Sequence, residues 1–282
     1  MKICHTASEL RSTLRNWRLE GKTIALVPTM GNLHRGHIRL VEKAGDLADI
    51  VVSTIFVNPM QFGRNEDLDK YPRTPEADIE KLTAAGCHLL FAPTVREMYP
   101  AGLDLHTVVS VPGVSERHCG ASRPGHFDGV ATVVSKLFNL VQPDHAVFGL
   151  KDYQQFQVIR KMNADLCFGI ELTGVDTERD ENGLALSSRN GYLSTEQKQQ
   201  VFTIIRTLRD TAERIKAGER DYPALEQQAR SVIESQGLRP DYFSICHAET
   251  LAPAHTEDKH LVILAAAYAG TTRLIDNIQL RL

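Results

Sequence analysis

The sequence predicts an α/β protein: a Rossmann-like, doubly wound parallel sheet followed by a smaller α+β domain. Three observations carry this. Apolar, strand-like runs alternate with helix-periodic stretches from about residue 24 to 175. The run at 50–57 is almost unbroken in β-branched residues, as a strand covered on both faces should be. After about residue 176 the rhythm changes to a polar, irregular stretch, two long amphipathic patterns and three closing strand-like runs. The expected division is therefore 1–176 and 177–282, with a hinge near 176–186.

Taken in order, 24–27 reads as the first strand and 50–57 as the second. Thr74-Pro75 looks like a helix start, a cap followed by proline at the first helical position. That helix carries Ile79 and Leu82, ends near Gly86 and hands over to a strand at 87–92. A short strand is expected at 107–111. Val130, Val133, Val134, Leu137, Phe138 and Val141 repeat at helical spacing, and Pro143 stops that helix. A strand at 146–148 ending on Gly149, a helix with Tyr153, Phe156 and Ile159, and a strand at 170–175 complete the first half. Helices at about 195–217 and 222–236, then strands at 242–247, 261–267 and 273–280, make up the second.

Composition excludes several classes. With 42% hydrophobic and 24% charged residues, the 282-residue chain has ample core for one large or two moderate domains. A net charge of −3 argues against a broad nucleic-acid footprint. The five cysteines are scattered, with no metal or redox spacing, which points to buried thiols in a reducing compartment. No signal-like apolar region opens the chain, and the longest apolar run, near 261–269, falls short of the ~20 residues of a spanning helix. A cytoplasmic protein is expected, with no nucleic-acid or membrane partner.

Five segments could carry chemistry. The first runs from Val27 through Met30, Gly31, Asn32, Leu33, His34, Arg35 and Gly36 to His37, between the first strand and a helix pattern. Strand, glycine turn and helix is the usual α/β anion site, because amides at the helix start lack partners and glycine lets a phosphate approach. His34 and His37, three apart, share one helix face. Gly31-x4-Gly36 has phosphate-loop glycine spacing, yet His37-Ile38 stands where lysine and a hydroxyl residue are needed, and no G-x-G-x-x-G occurs. On spacing alone, an anion site and a plain helix cap both stay open. The second segment, 56–62, puts Asn58 and Gln61 beyond a strand end, where α/β ligands gather. The third, 122–127, places Arg123 in a Gly/Pro loop before a helix. In the fourth, 148–155, Asp152 suits the N-cap, Lys151 offers a point charge, and Gln155 lies in the helix's first turn. The fifth, 186–190, carries Ser187, Ser188 and Arg189, which suit closure over a polyphosphate. Each has a bland reading as a turn or cap. Four of the five fall on one expected sheet edge.

Together these segments resemble the pantoate–β-alanine ligases of the adenylate-forming nucleotidyltransferase superfamily. The resemblance rests on 28–37, 56–62, 71–74, 120–127, 135–139, 151–155 and 183–190, with a tail match at Leu274-Ile275-Asp276-Asn277. It implies ATP-dependent condensation of pantoate with β-alanine through pantoyl adenylate, giving pantothenate, AMP and diphosphate. Catalysis would fall to His34, His37, Lys151 and Arg189. The resemblance implies ATP contacts from Met30 to His37, from Gly149 through Leu150 and Lys151 to Asp152, at Glu178, and from Leu186 to Arg189. It assigns pantoate to Gln61 and Gln155, and β-alanine to Gln61 and Asn58. Mg2+ would arrive with ATP on ligands the motifs do not name, and a homodimer would form through the larger domain. Leu150, Asp176, Asn182 and His118-Cys119 depart from the family's usual residues. Two rival readings are weaker. Another small-molecule nucleotidyltransferase of the superfamily is disfavoured by 58–61 and 151–155, which point to a small hydroxy acid, an aminoacyl-tRNA synthetase fragment by an acidic chain without a tRNA-binding extension, and a silent nucleotide-binding regulator by intact His34, His37, Lys151 and Arg189.

Overall fold

The computed structural model describes residues 1–63 and 66–282. Its first half contains β1 (Lys2–Cys4), α1 (Ala7–Leu19), β2 (Ile24–Thr29), α2 (Arg35–Leu47), β3 (Ile50–Ile55) and α3 (Pro75–Ala84). Then come β4 (Leu89–Phe91), the short α4 (Val95–Met98) and α5 (Cys119–Ser122), and α6 (His126–Val141). β5 (His145–Gly149), α7 (Tyr153–Asp165) and β6 (Glu171–Val175) follow. The second half holds α8 (Thr195–Lys216), α9 (Tyr222–Ser235), β7 (Arg239–His247), β8 (His260–Ala269) and β9 (Thr272–Arg281).

The six strands of the first half form one parallel sheet in the order β1-β4-β3-β2-β5-β6. Its central strands are apolar on both faces because helices cover both, and Leu26, Val27, Val52, Ala146 and Val147 are fully buried. The chain builds outward from β2 to β3 and β4, then returns to lay β5 against the other side of β2. That reversal opens a crevice beyond the carboxyl ends of β2 and β5.

β7, β8 and β9 form a separate antiparallel sheet. One face packs on α8 and α9, with Phe243, Ile263, Leu208 and Ile233 in a common core. The other face sends Tyr242, Cys246, Val262 and Leu264 into the core of the parallel-sheet half. The small sheet is thus buried on both sides, which explains the continuous apolar run in β8.

The sequence reading and the structure differ in places. The expected strand at 107–111 does not form. Its residues have strand propensity but no neighbouring edge, and the Val109 amide donates to Thr132 Oγ1 on α6 instead. β3 stops at Ile55 and β4 spans only three residues, because pairing ends there and propensity does not. β1 and α1 were not read at all: three residues show no period, and only packing against β4 makes β1 a strand.

Candidate functional site

Below the β2–β5 reversal lies a cavity of about 240 Å3, walled by all five of the segments singled out from the sequence. The loop from β2 to α2 forms one wall. Gly31 and Asn32 take left-handed backbone (φ 82° and 50°), which turns the chain sharply into the helix. Buried Asp78, on α3, fixes that turn. Its carboxylate accepts from the amides of Asn32 and Leu33, both at 2.8 Å, and from the Thr74 hydroxyl at 3.2 Å.

The amides expected to be open to an anion are therefore mostly taken. Gly31 donates to Thr29 Oγ1, His34 to His37 Nδ1 at 3.3 Å, Gly36 to His34 Nδ1 at 3.2 Å, and His37 to the His34 carbonyl. Among the described residues, only Arg35 within 31–37 keeps an unpartnered amide. The two histidines cap α2 themselves, their ring centroids 4.1 Å apart. With Nδ1 accepting in both, each neutral ring carries its proton on Nε2.

The rings are neutral because burial opposes charge. Desolvation, helped by the Lys151 charge, lowers the His34 pKa to about 4. Desolvation and the neighbouring His34 lower that of His37 to about 3. The cavity thus holds two fixed Nε2–H donors that need no protonation to bind an anion.

A stability prediction follows. His34, His37 and His126 (burial lowers the last to about 4) all have folded pKa values below the 6.5 of an ordinary imidazole. Between those values the unfolded chain binds more protons than the folded one, so their contribution is complete above about pH 6.5 and lost as pH falls towards 4. Urea midpoints taken at about pH 7.5, 6 and 5 should decrease in that order. A midpoint that rose on acidification would contradict it.

The opposite wall is set by the 3₁₀ turn Pro59–Gln61. Asn58 is buried and points inward: it accepts from Tyr99 Oη at 2.8 Å and donates to the Gly129 carbonyl at 3.1 Å and to Gln61 Oε1 at 3.2 Å. It therefore positions Gln61, whose side chain lines the cavity. The turn can lie this close to α6 only because residue 129 is glycine. A Cβ there would sit 2.5 Å from the Met60 carbonyl oxygen. His126 Nδ1 donates to the Gln61 carbonyl at 2.8 Å. Arg123 reaches the same carbonyl while clamping Glu66 through two 2.6 Å contacts. Pro28, Leu40, Val130, Val134 and Phe148 give this end an apolar floor.

Beyond β5, the 3₁₀ turn Leu150–Asp152 presents Lys151 and Asp152 to the cavity. Asp152 takes the N-cap position of α7 as expected, but its carboxylate makes no cap hydrogen bond and has no partner among the described residues. Leu150 points away and packs on Gly174. Asn277 on β9 donates to the Leu150 and Lys151 carbonyls at 2.8 and 2.9 Å, so the small sheet holds this turn. Neighbouring Asp276 pairs with Arg179 at 2.7 Å. Arg189 pairs with Asp67 at 2.9 Å and lies over the Tyr71 ring, and Ser188 Oγ donates to the Asn32 carbonyl at 3.4 Å. The 187–189 loop therefore rests on the first wall.

Of the residues singled out from the sequence, the cavity brings together Met30, His34, Gly36, His37, Gln61, Gly149, Lys151, Asp152, Gln155, Glu178, Leu186, Ser187, Ser188 and Arg189. Gly31, Asn32, Leu33, Arg35, Asn58 and Leu150 lie off its walls. Gly31, Asn32 and Leu33 shape the turn and Asn58 holds Gln61, while Arg35 pairs outside with Glu42. The sequence reading missed Asp78, Tyr99 and Gly129. A glycine inside an apolar helix pattern was the available signal for Gly129, whereas an Asp in a first helical turn reads as ordinary dipole complement.

The family model described as pantoate–β-alanine ligase matches residues 2–279. A pantothenate synthetase of Pseudomonas fluorescens is 61% identical over 282 residues, covering 100% of this chain and 99% of the relative. One from Marinobacter nauticus is 59% identical over 280 residues, 99% of each. Among solved structures, the Thermus thermophilus pantothenate synthetase superposes with a TM-score of 0.90 at 44% identity, covering 99% of both chains. The Francisella tularensis pantoate–β-alanine ligase, solved in complex with β-γ ATP and β-alanine, gives 0.82 at 32%, covering 99% of this chain and 97% of that one. A nucleotidyltransferase-like crevice, two self-capping histidines and full-length similarity converge: the chain belongs to the pantoate–β-alanine ligase family.

Proposed function

We propose that the chain joins pantoate to β-alanine in two steps within the cavity, and that the observation carrying this reading is the pair of Nε2–H donors on a cavity shared with Lys151, whose ammonium has no partner among the described residues. The pantoate carboxylate attacks the α-phosphorus of ATP, forming the acyl–phosphate bond and expelling diphosphate. The amine of β-alanine then attacks the acyl carbon, the bond to AMP breaks, and the amine gives up a proton. Charge grows on the phosphoryl oxygens during the first step, so fixed donors at His34 and His37, with Lys151, act on the transition state more than on the ground state. Gln61 and Gln155 hold the polar groups of pantoate, and the apolar floor suits its dimethyl carbon. Asn58 acts by holding Gln61, which also serves β-alanine. Ser187, Ser188 and Arg189 close over the outer phosphates, for which Arg189 exchanges its Asp67 partner.

Mg2+ comes with the nucleotide. Among the described residues no cluster of three or more His, Cys, Asp or Glu side chains could cage a metal ion. Phosphate oxygens and water fit the set Mg2+ prefers. The ion supplies charge neutralisation on the phosphates. Residues 177–282 form the smaller unit and contribute the 187–189 loop and Asn277. Among the described residues no helix is long and apolar enough to cross a membrane; a cytoplasmic place rests on the small polar substrates of the proposed reaction.

A homodimer fits one of the expectations the monomer leaves unfulfilled. The strand-like 107–111 segment pairs with no strand among the described residues, and Leu105 before it and Val108 within it are 81% and 51% exposed. A second copy of this segment would supply the missing edge, and sedimentation equilibrium reads the mass directly.

The catalytic proposal is tested by AMP release from ATP with pantoate, with and without β-alanine. AMP formation should require pantoate and rise with β-alanine. Release indifferent to either substrate would overturn it.

A further inference from the structure

A second chamber of about 80 Å3 lies behind the first, at the seam between the two halves. Arg123, His126, Lys151, Asp152 and Gln155, with Ser187 and Arg189 of the 187–189 loop, line both spaces, so they form the partition between them. The far wall comes from the small sheet: Tyr242 of β7 and Arg273 of β9, with Cys119 of α5 between. This wall is held rigidly. Arg273 gives Nε and Nη2 to Asp241 Oδ2 at 3.0 and 2.7 Å, and Nη2 also reaches Cys119 Sγ at 3.4 Å. Cys119 Sγ in turn meets Tyr242 Oη at 3.1 Å. Among the described residues, Arg273 Nη1 has no partner. At the partition, Asp152 also has none.

The chamber thus has an anchored guanidinium edge on one half and a free carboxylate on the other. That pattern complements a small zwitterion with a cation and an anion a few bonds apart. The reaction makes such a visitor necessary. After the first step the main cavity is filled by the acyl adenylate, with its acyl end beside Gln61 and Gln155. Gln155 belongs to both spaces, so the acyl carbon lies near the partition. An amine held in the second chamber would meet it from the side of Gln155.

We propose that this chamber is the entry and holding site for the amino-acid substrate, its carboxylate on Arg273 and its ammonium towards Asp152. The proposal rests on the ligase reading above. Diphosphate is the competing occupant, because Arg123, Lys151 and Arg189 also line the chamber, and the test below separates the two.

The test separates the half-reactions in Arg273→Gln. The KM for β-alanine should rise roughly ten- to hundredfold, the scale of one lost charge-assisted hydrogen bond. Pantoate-dependent exchange of diphosphate into ATP, which needs no amine, should stay within about twofold, as should inhibition by diphosphate. Arg273→Lys should recover part of the loss. Asp241→Asn removes the same ion pair but keeps the guanidinium, so it should leave the β-alanine KM unchanged or lower. An unchanged KM in Arg273→Gln overturns the proposal, as does an equal loss of exchange. A KM rise in Asp241→Asn matching that of Arg273→Gln makes the pair merely structural and also overturns it. Wild-type protein without pantoate-dependent exchange would instead overturn the ligase reading, so the two failures are distinguishable.

Discussion

Replacing His37 by asparagine is expected to slow formation of the acyl adenylate by roughly 10²–10³-fold, a loss of ~2–4 kcal/mol of transition-state stabilisation. The choice of asparagine matters. His37 does two jobs at opposite ring atoms: Nδ1 accepts the His34 amide at 3.3 Å, and Nε2 carries the donor. An asparagine carbonyl oxygen lies near the Nδ1 position, so the helix cap survives while the donor is lost. His37→Ala removes both, and its rate loss would be confounded by a cap worth about 1 kcal/mol. His37→Gln puts an amide N–H nearer the Nε2 position and should recover part of the rate. Single-turnover adenylate formation at saturating ATP and pantoate is the measurement. A His37→Asn rate within a few-fold of wild type would remove this histidine from the mechanism. Because the ring is neutral down to about pH 3 in the folded protein, the wild-type adenylation rate should show no inflection near 6.5 from this group.

Gly129→Ala is expected to be the most damaging single-methyl change around the site. Helix propensity alone would favour alanine in α6 by about 1 kcal/mol. Packing points the other way. The added Cβ would meet Met60 O at 2.5 Å, Met60 C at 2.6 Å and Gln61 N at 2.7 Å, all backbone atoms that no rotamer change can move aside. Overpacking against backbone costs about 1–3 kcal/mol or more, so the net effect should be destabilising. The relief available is to push the Pro59–Gln61 turn outward. That would break the Asn58 bond to the Gly129 carbonyl and shift Gln61. The protein should therefore lose stability and bind pantoate more weakly. Urea unfolding and the pantoate KM read the two effects. An unchanged or raised midpoint would show that the close approach is not maintained in solution.

These two residues mark what the sequence conveyed well and badly. His34 and His37 were legible because local geometry decides them: a strand-glycine-helix junction with two rings three apart must bring the rings together. Their surroundings were not legible. The junction suggested open backbone amides for an anion, yet Asp78, some forty residues away, takes two of them and the rings take others. Asn58 was placed correctly beyond a strand end, but its side chain turns inward to hold Gln61. Strand ends say where a residue is, and packing says which way it points.

The same line divides the fold. Buried parallel strands announce themselves as apolar β-branched runs, and the alternation with helices leaves a doubly wound sheet as the consistent architecture. The sequence by itself determined that sheet, the change of architecture after residue 176 and the segments that gather at the carboxyl edge. Tertiary structure alone decided what depends on partners distant in sequence. Residues 107–111 pair with no edge among the described residues, whereas β1 is a strand only because β4 lies beside it. The small sheet packs its second face into the larger half and sends Asn277 to the carbonyls beside Lys151. Periodicity records what each element buries, but not against which residue. The pairing of Arg273 with Asp241 in the far wall of the second chamber is information of that second kind.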